Sequence, residues 1–173
     1  VNRRPPVPFN TTSFAAEASS RLGITPSRAM RIAEDLYMDG FISYPRTDNT
    51  VYPRSLNTRE LVQSLARIPD FSAAQSLLNG ELKRTRGKKE TTDHPPIYPT
   101  QALYPNALEG PKRRVYELVV RRFLATFAPP MITESTRADI GAGSETYFVR
   151  GSVVVDPGYA AIYTYARSAD DEI

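Results

Sequence analysis

Apolar positions early in the chain recur about one helical turn apart, and the breaks between them carry helix-ending residues. Phe14, Ala18 and Leu22, with Ala15 beside them, mark the buried stripe of a first helix that begins after Thr12 or Ser13. Gly23 is placed to end it. Thr25 reads as an N-cap with Pro26 at the first helical position. Ala29, Ile32, Ala33 and Leu36 form the stripe of a second helix running to about Met38, with Gly40 as its stop. Residues 41–44 are short, apolar and strand-like until Pro45, which has no N–H to give a ladder.

Further along, Asn57 and Glu60 make a capping box for a helix over 58–67, with Leu61, Val62 and Leu65 facing inward. Pro69 and Asp70 break it, and a short helix is expected over 71–79, ended by Gly80. Residues 81–107 show no period and read as one long loop. Pro111 opens the clearest helix. Val115, Leu118, Val119, Arg122, Phe123 and Thr126 trace one face of it to about Phe127, before Pro129 and Pro130. The composition then changes to Thr, Val, Ile and Tyr. Turns are expected at 141–144 and 156–158, and the alternation over 145–155 predicts half-buried strands. The expected fold class is α+β: a lead-in over 1–11, a mainly helical domain over 12–128, and part of a β-rich domain over 129–173. Two short helices followed by a strand are also the order of a helix-turn-helix with the start of a wing.

At 173 residues the chain has room for one ordinary domain, or a small domain with part of another. The absence of cysteine excludes disulfides, thiolate chemistry and cysteine-ligated zinc, and the single histidine, His94, excludes a His-rich metal site within one chain. No apolar run approaches the roughly 20 residues that span a bilayer. The opening VNRRPPVPFN lacks a signal-peptide core, and the chain reads as a fragment of a cytoplasmic protein. Asp170, Asp171 and Glu172 read as a solvated tail. The formal charge of +3 is too small to indicate a nucleic-acid partner by itself, but residues 83–89, KRTRGKK, place five cations in seven positions. Such a run can neutralise phosphates or can simply be a solvated loop.

The segment Gly40–Thr50 concentrates chemistry. Tyr44 is a phenol, a weak nucleophile at neutral pH unless developing charge is stabilised. Arg46, two residues on, offers a permanently charged fork on the same side of an extended backbone. Asp48 is expected to orient Arg46 or relay a proton. Ser43 and Thr47 can bond a phosphate or cap a turn. His94 sits on a proline-stiffened loop, DHPPIYPT, able to donate to a phosphate. By residue chemistry alone, Tyr44 as a core aromatic beside a turn and His94 as a structural side chain remain open.

GFISYPRTDNTVYP closely resembles the active-site tyrosine motif of type IA DNA topoisomerases. PFNTTSFAAEASSRLG and DHPPIYPT are similar to two further motifs of that family, in the same order. So is the later order of a long helix carrying Leu118, Arg122 and Phe123, then a GxG turn and Gly151. The resemblance implies an ATP-independent enzyme that cleaves single-stranded DNA through a 5′-phosphotyrosyl intermediate, passes a strand and religates. By motif position it makes Tyr44 the nucleophile, with Arg46 and His94 on the phosphate and Ser43, Thr47 and Asp48 in support. DNA contacts are expected from Lys83, Arg84, Arg86, Lys88, Lys89 and Thr12. It implies a helical, winged-helix-like tyrosine domain, related to catabolite activator protein, inserted into a β-rich arch of a toroid. The family's Mg²⁺ belongs to an acidic Toprim domain that this chain lacks. No metal is expected in this fragment, which should therefore not relax supercoiled DNA alone. A monomer acting with the parent's other domains is expected, nucleoid-associated and without a membrane partner. Pro95 and Tyr98 depart from one common bacterial form, where Glu and Arg follow the histidine. The wording is more like archaeal topoisomerase I, topoisomerase III or reverse gyrase.

Two other readings stay in view. A non-catalytic winged-helix module would use residues 26–38 as its recognition helix. A structural or interaction domain would have no DNA role, and a strong fall of DNA binding with salt would oppose it.

Overall fold

A computed structural model describes residues 1–166. The acidic stretch at 170–172 and the last part of the expected β-rich region lie outside them. The fold is mixed α/β, with four α-helices among the described residues and a small three-stranded antiparallel sheet.

The helices form where the local signals place them, with small shifts that have identifiable causes. Helix α1 spans Thr11–Leu22, starting two or three residues before the expected position. The reason is Asn10: its side chain accepts the Ser13 N–H at 2.9 Å, and the Ser13 hydroxyl accepts the Asn10 N–H at 3.1 Å. This reciprocal cap satisfies two otherwise free donors. Gly23 ends the helix at φ +65°, a left-handed conformation that costs a residue with a Cβ. Helix α2 spans Pro26–Met38 behind the Thr25 cap, and α3 spans Thr58–Ala66 behind Asn57. Residues Pro69–Asn79 wind as a 3-10 helix packed against α3.

Helix α4, Gly110–Ala125, is the axis of the body. One buried face was expected, yet Val120 and Leu124 are as fully buried as Val115, Leu118, Val119 and Phe123. Neighbours cover α4 on several sides: α1 and α2 pack on it, and Ile162 and Tyr163 join the same core. A helix apolar over most of its circumference is a buried one. It stops at Ala125 rather than Phe127, because Phe127 and Ala128 bond back three residues in a tighter turn.

One expectation fails. Residues 41–44 form no sheet strand: Ile42 makes a single bridge to Pro99. The region 81–107 is a long loop as expected, apart from a short 3-10 turn at Pro105–Ala107, but it is not loose. It runs extended along the body and is tied down by Thr85 N–H to Thr126 O, Gly87 N–H to Thr50 O and Ile97 N–H to Phe9 O, each 2.8 or 2.9 Å.

The sheet is the other surprise. Strand β1, Asn2–Arg3, pairs with the start of β2, Met131–Ala142, which turns back into β3, Glu145–Asp156. Gly143 takes φ +66° at the first place of the two-residue turn, as tight hairpins require. The expected half-burial is not found: beyond Thr133 both faces of the hairpin are exposed, except for partly covered Val154. The register puts Ala138, Ile140, Tyr147, Val149 and Val153 on one face and Arg137, Asp139, Phe148 and Arg150 on the other. Among the described residues the strands form an open ribbon, not a closed barrel.

Candidate active site

The stretch around Tyr44 is held by hydrogen bonds to two distant segments. Ser43, buried, binds the proline loop: its N–H donates to Tyr98 O at 2.9 Å, its hydroxyl donates to Pro96 O at 3.1 Å, and that hydroxyl accepts the Tyr98 N–H at 2.9 Å. Tyr44 is thereby laid against His94, with ring centroids 4.8 Å apart. Tyr37 of α2 also packs on it, with ring centroids 5.1 Å apart. Tyr44 is half-buried and His94 exposed, so the two rings meet at the surface.

The start of α1 braces the next turn. Thr11 donates its N–H to Thr47 O at 2.9 Å and its hydroxyl to Pro45 O at 2.7 Å, and that hydroxyl accepts the Thr47 N–H at 2.8 Å. Thr47 is buried, and its hydroxyl donates to His94 O at 3.2 Å. Asn49, also buried, donates from its amide to Thr91 O at 2.9 Å and His94 O at 3.1 Å. The backbone that carries His94 is therefore fixed by the segment that carries Tyr44.

The ion pairs differ from expectation. Arg46 bonds Glu34 of α2, with Nε and Nη2 at 2.7 and 2.6 Å from the same carboxylate oxygen. Asp48 does not orient Arg46: it pairs with Lys89 at 2.7 Å, because the 87–89 segment is bonded to Thr50 at its flank. Gly87 is required for that docking, since a Cβ there would meet the Thr50 hydroxyl oxygen at 2.2 Å.

The basic run is divided in its use. Arg84 is engaged internally, donating to Pro53 O at 2.7 Å and Leu56 O at 2.9 Å. Arg86 pairs with Glu90 at 2.8 Å, while Lys83 and Lys88 are exposed. Thr12, named above as a DNA contact, is exposed on α1. Beside His94 lies an open cleft of about 400 Å³, lined by Asn49, Arg54, Glu90, Asp93 and His94 among others.

Tyr44, Arg46 and His94 thus lie around one surface, with Ser43 and Thr47 beneath. Sequence reasoning assigned no role to Asn49, which stood inside the recognised motif. It missed Thr11, Glu34 and Tyr37. Glu34 and Tyr37 are three apart on a helix and so share a face, but nothing in the sequence says what that face meets.

Comparison with known proteins agrees on one family. A family model described as DNA topoisomerase matches residues 1–173. DNA topoisomerase 1 of Archaeoglobus fulgidus is 43% identical over 97% of this chain and 25% of its own length. Human DNA topoisomerase 3-alpha is 36% identical over 95% of this chain and 16% of its own. The structure of full-length topoisomerase I from Thermotoga maritima superposes on 100% of this chain with a TM-score of 0.71 at 26% identity, using 29% of that protein. This chain spans about a quarter of the length of the archaeal relative. With a family model matched over its whole length, the chain belongs to the type IA DNA topoisomerase family.

Proposed function

We propose that this chain carries the DNA-cleaving tyrosine of an ATP-independent type IA topoisomerase, with Tyr44 as the nucleophile. The observation that supports it most is the contact of Tyr44 with His94, 50 positions away in sequence, beside a permanent cation at Arg46. The Tyr44 hydroxyl attacks a backbone phosphorus of single-stranded DNA. An O–P bond to tyrosine forms, the bond to the 3′ oxygen breaks, and the phenolic proton leaves as the 3′-hydroxyl gains one. The 5′-phosphotyrosyl bond keeps the energy of the broken link, so the 3′-hydroxyl reverses the step after strand passage. Arg46 and His94 serve as donors where charge accumulates on phosphate. Ser43, Thr47 and Asn49 position them, and Lys83, Lys88 and Lys89 contribute attraction to the strand.

Among the described residues no three acidic, histidine or cysteine side chains converge to hold a metal. The described residues offer no such set for the Mg²⁺ associated with the family, and no step is routed through it. We assign that ion to a Toprim portion of the parent, and the division at about residues 12–128 and 129–173 to a winged-helix-like tyrosine domain and part of an arch. We read the parent as archaeal topoisomerase I- or III-like or as a reverse gyrase; an archaeal topoisomerase 1 and a eukaryotic topoisomerase 3 both match the chain, at 43% and 36% identity. No described helix is long and apolar enough to cross a membrane.

The test supplies the Toprim-containing portion of the parent with Mg²⁺ and labelled single-stranded DNA. A 5′-phosphotyrosyl adduct mapped to Tyr44, absent in Tyr44→Phe, is expected. An assembled, DNA-bound complex that forms no adduct would favour a binding module without chemistry.

A further inference from the structure

Arg46 does not face solvent with its donors open. The edge formed by Nε and Nη2, which can grip two oxygens side by side, is occupied by one oxygen of Glu34. A DNA phosphate approaching Tyr44 competes with Glu34 for that edge. The pair is suited to exchange: the side chains are 60% and 38% exposed, so solvent screens the attraction and release is easy. Tyr37, one turn along the same helix, packs on Tyr44. One face of α2 therefore touches both the proposed nucleophile and its arginine.

We propose that Glu34 is a positioning residue that holds Arg46 in a DNA-free resting place and is displaced from it by the DNA phosphate. The proposal rests on the assignment of Arg46 to phosphate made above. Glu34 acts through Arg46 and touches no reacting atom. Its carboxylate keeps the guanidinium against the face of α2 whose Tyr37 packs on Tyr44 when DNA is absent, and it lowers affinity for the strand by the free energy of the pair that must open.

The experiment measures binding of a fluorescent single-stranded oligothymidylate to the full 173-residue chain across a salt series. Glu34→Gln removes the competing charge and retains the shape of the side chain. It is expected to bind about two- to fivefold more tightly at low salt, the range an exposed pair supports. Arg46 engages the phosphate in both chains, so the plot of log affinity against log salt should keep nearly the wild-type slope. Glu117→Gln, which removes an equal charge from the pair with Arg113 on α4, should leave binding near wild type. In an Arg46→Ala background, Glu34→Gln should give no gain. Thermal melting checks that each variant folds.

Three results overturn the proposal: unchanged or weaker binding by folded Glu34→Gln, an equal gain from Glu117→Gln, or a gain that persists without Arg46. If Arg46→Ala weakens binding while Glu34→Gln changes nothing, the latch fails and the phosphate role of Arg46 stands. If neither wild type nor Arg46→Ala binds, both readings fall.

Discussion

The helical body and the β2–β3 hairpin use similar apolar residues to opposite effect. Around α4, Leu118, Phe123 and Leu124 have no exposed surface. In the hairpin, Ile140, Phe148 and Val153 are exposed by 52%, 60% and 62%. The body is held by side-chain burial, and the hairpin mainly by its backbone ladder. An isolated two-stranded hairpin is marginal in water. The difference teaches that alternation along a strand specifies two faces but not whether anything covers either one. It also places the proposed site on the body, where Tyr44 and Arg46 contact α2 and the His94 carbonyl is held by Thr47 and Asn49.

The largest effect that would sharpen this contrast is Phe123→Ala. Its ring lies 5.5 Å from Tyr52 and 5.1 Å from Phe127 by centroid. Its loss should cost about 3–5 kcal/mol in chemical denaturation. A cost below about 1 kcal/mol would mean the body is not the stable unit.

Alkaline unfolding comes next. Burial pushes the Tyr116 hydroxyl up to about 12, and it raises those of Tyr52 and Tyr163 still further. A phenol whose folded pKa exceeds its unfolded value of about 10 adds stability that is complete below pH 10 and lost as pH rises through the folded value. Between about pH 10 and 12, Tyr116 alone should remove roughly 2–3 kcal/mol, at 1.36 kcal/mol per unit. Denaturant midpoints over that range should fall, and Tyr116→Phe should flatten the fall.

Ser43→Ala probes the join between the two motif segments. It leaves the Tyr98 N–H and Pro96 O without the hydroxyl that now bonds them. The expected cost is about 1–3 kcal/mol. Faster amide exchange at Tyr98 would show that the His94 loop has loosened from Tyr44.

The smallest effect is expected in the hairpin. Val153→Thr keeps the β-branched shape and should change stability by no more than about 0.5 kcal/mol. Hairpin amides should exchange faster than those of α4. A cost like that of Phe123→Ala would break the comparison, because it would mean that the apolar face is covered in solution.

The sequence by itself determined most helix positions. Caps such as Thr25 and Asn57 and stops such as Gly23 act through bonds spanning three or four residues, so their signal is local. It also carried the family resemblance, because the motifs around Tyr44 and His94 keep their order along the chain. Only the tertiary structure decided the rest. Loop closure brought Ser43 to Pro96 and Tyr98, and with them Tyr44 to His94. The same folding gave Arg46 to Glu34 and Asp48 to Lys89, a choice among several carboxylates and cations that spacing along the chain does not rank. Burial of the hairpin was misread for the same reason: alternation is a property of one strand, whereas cover comes from whatever packs on it.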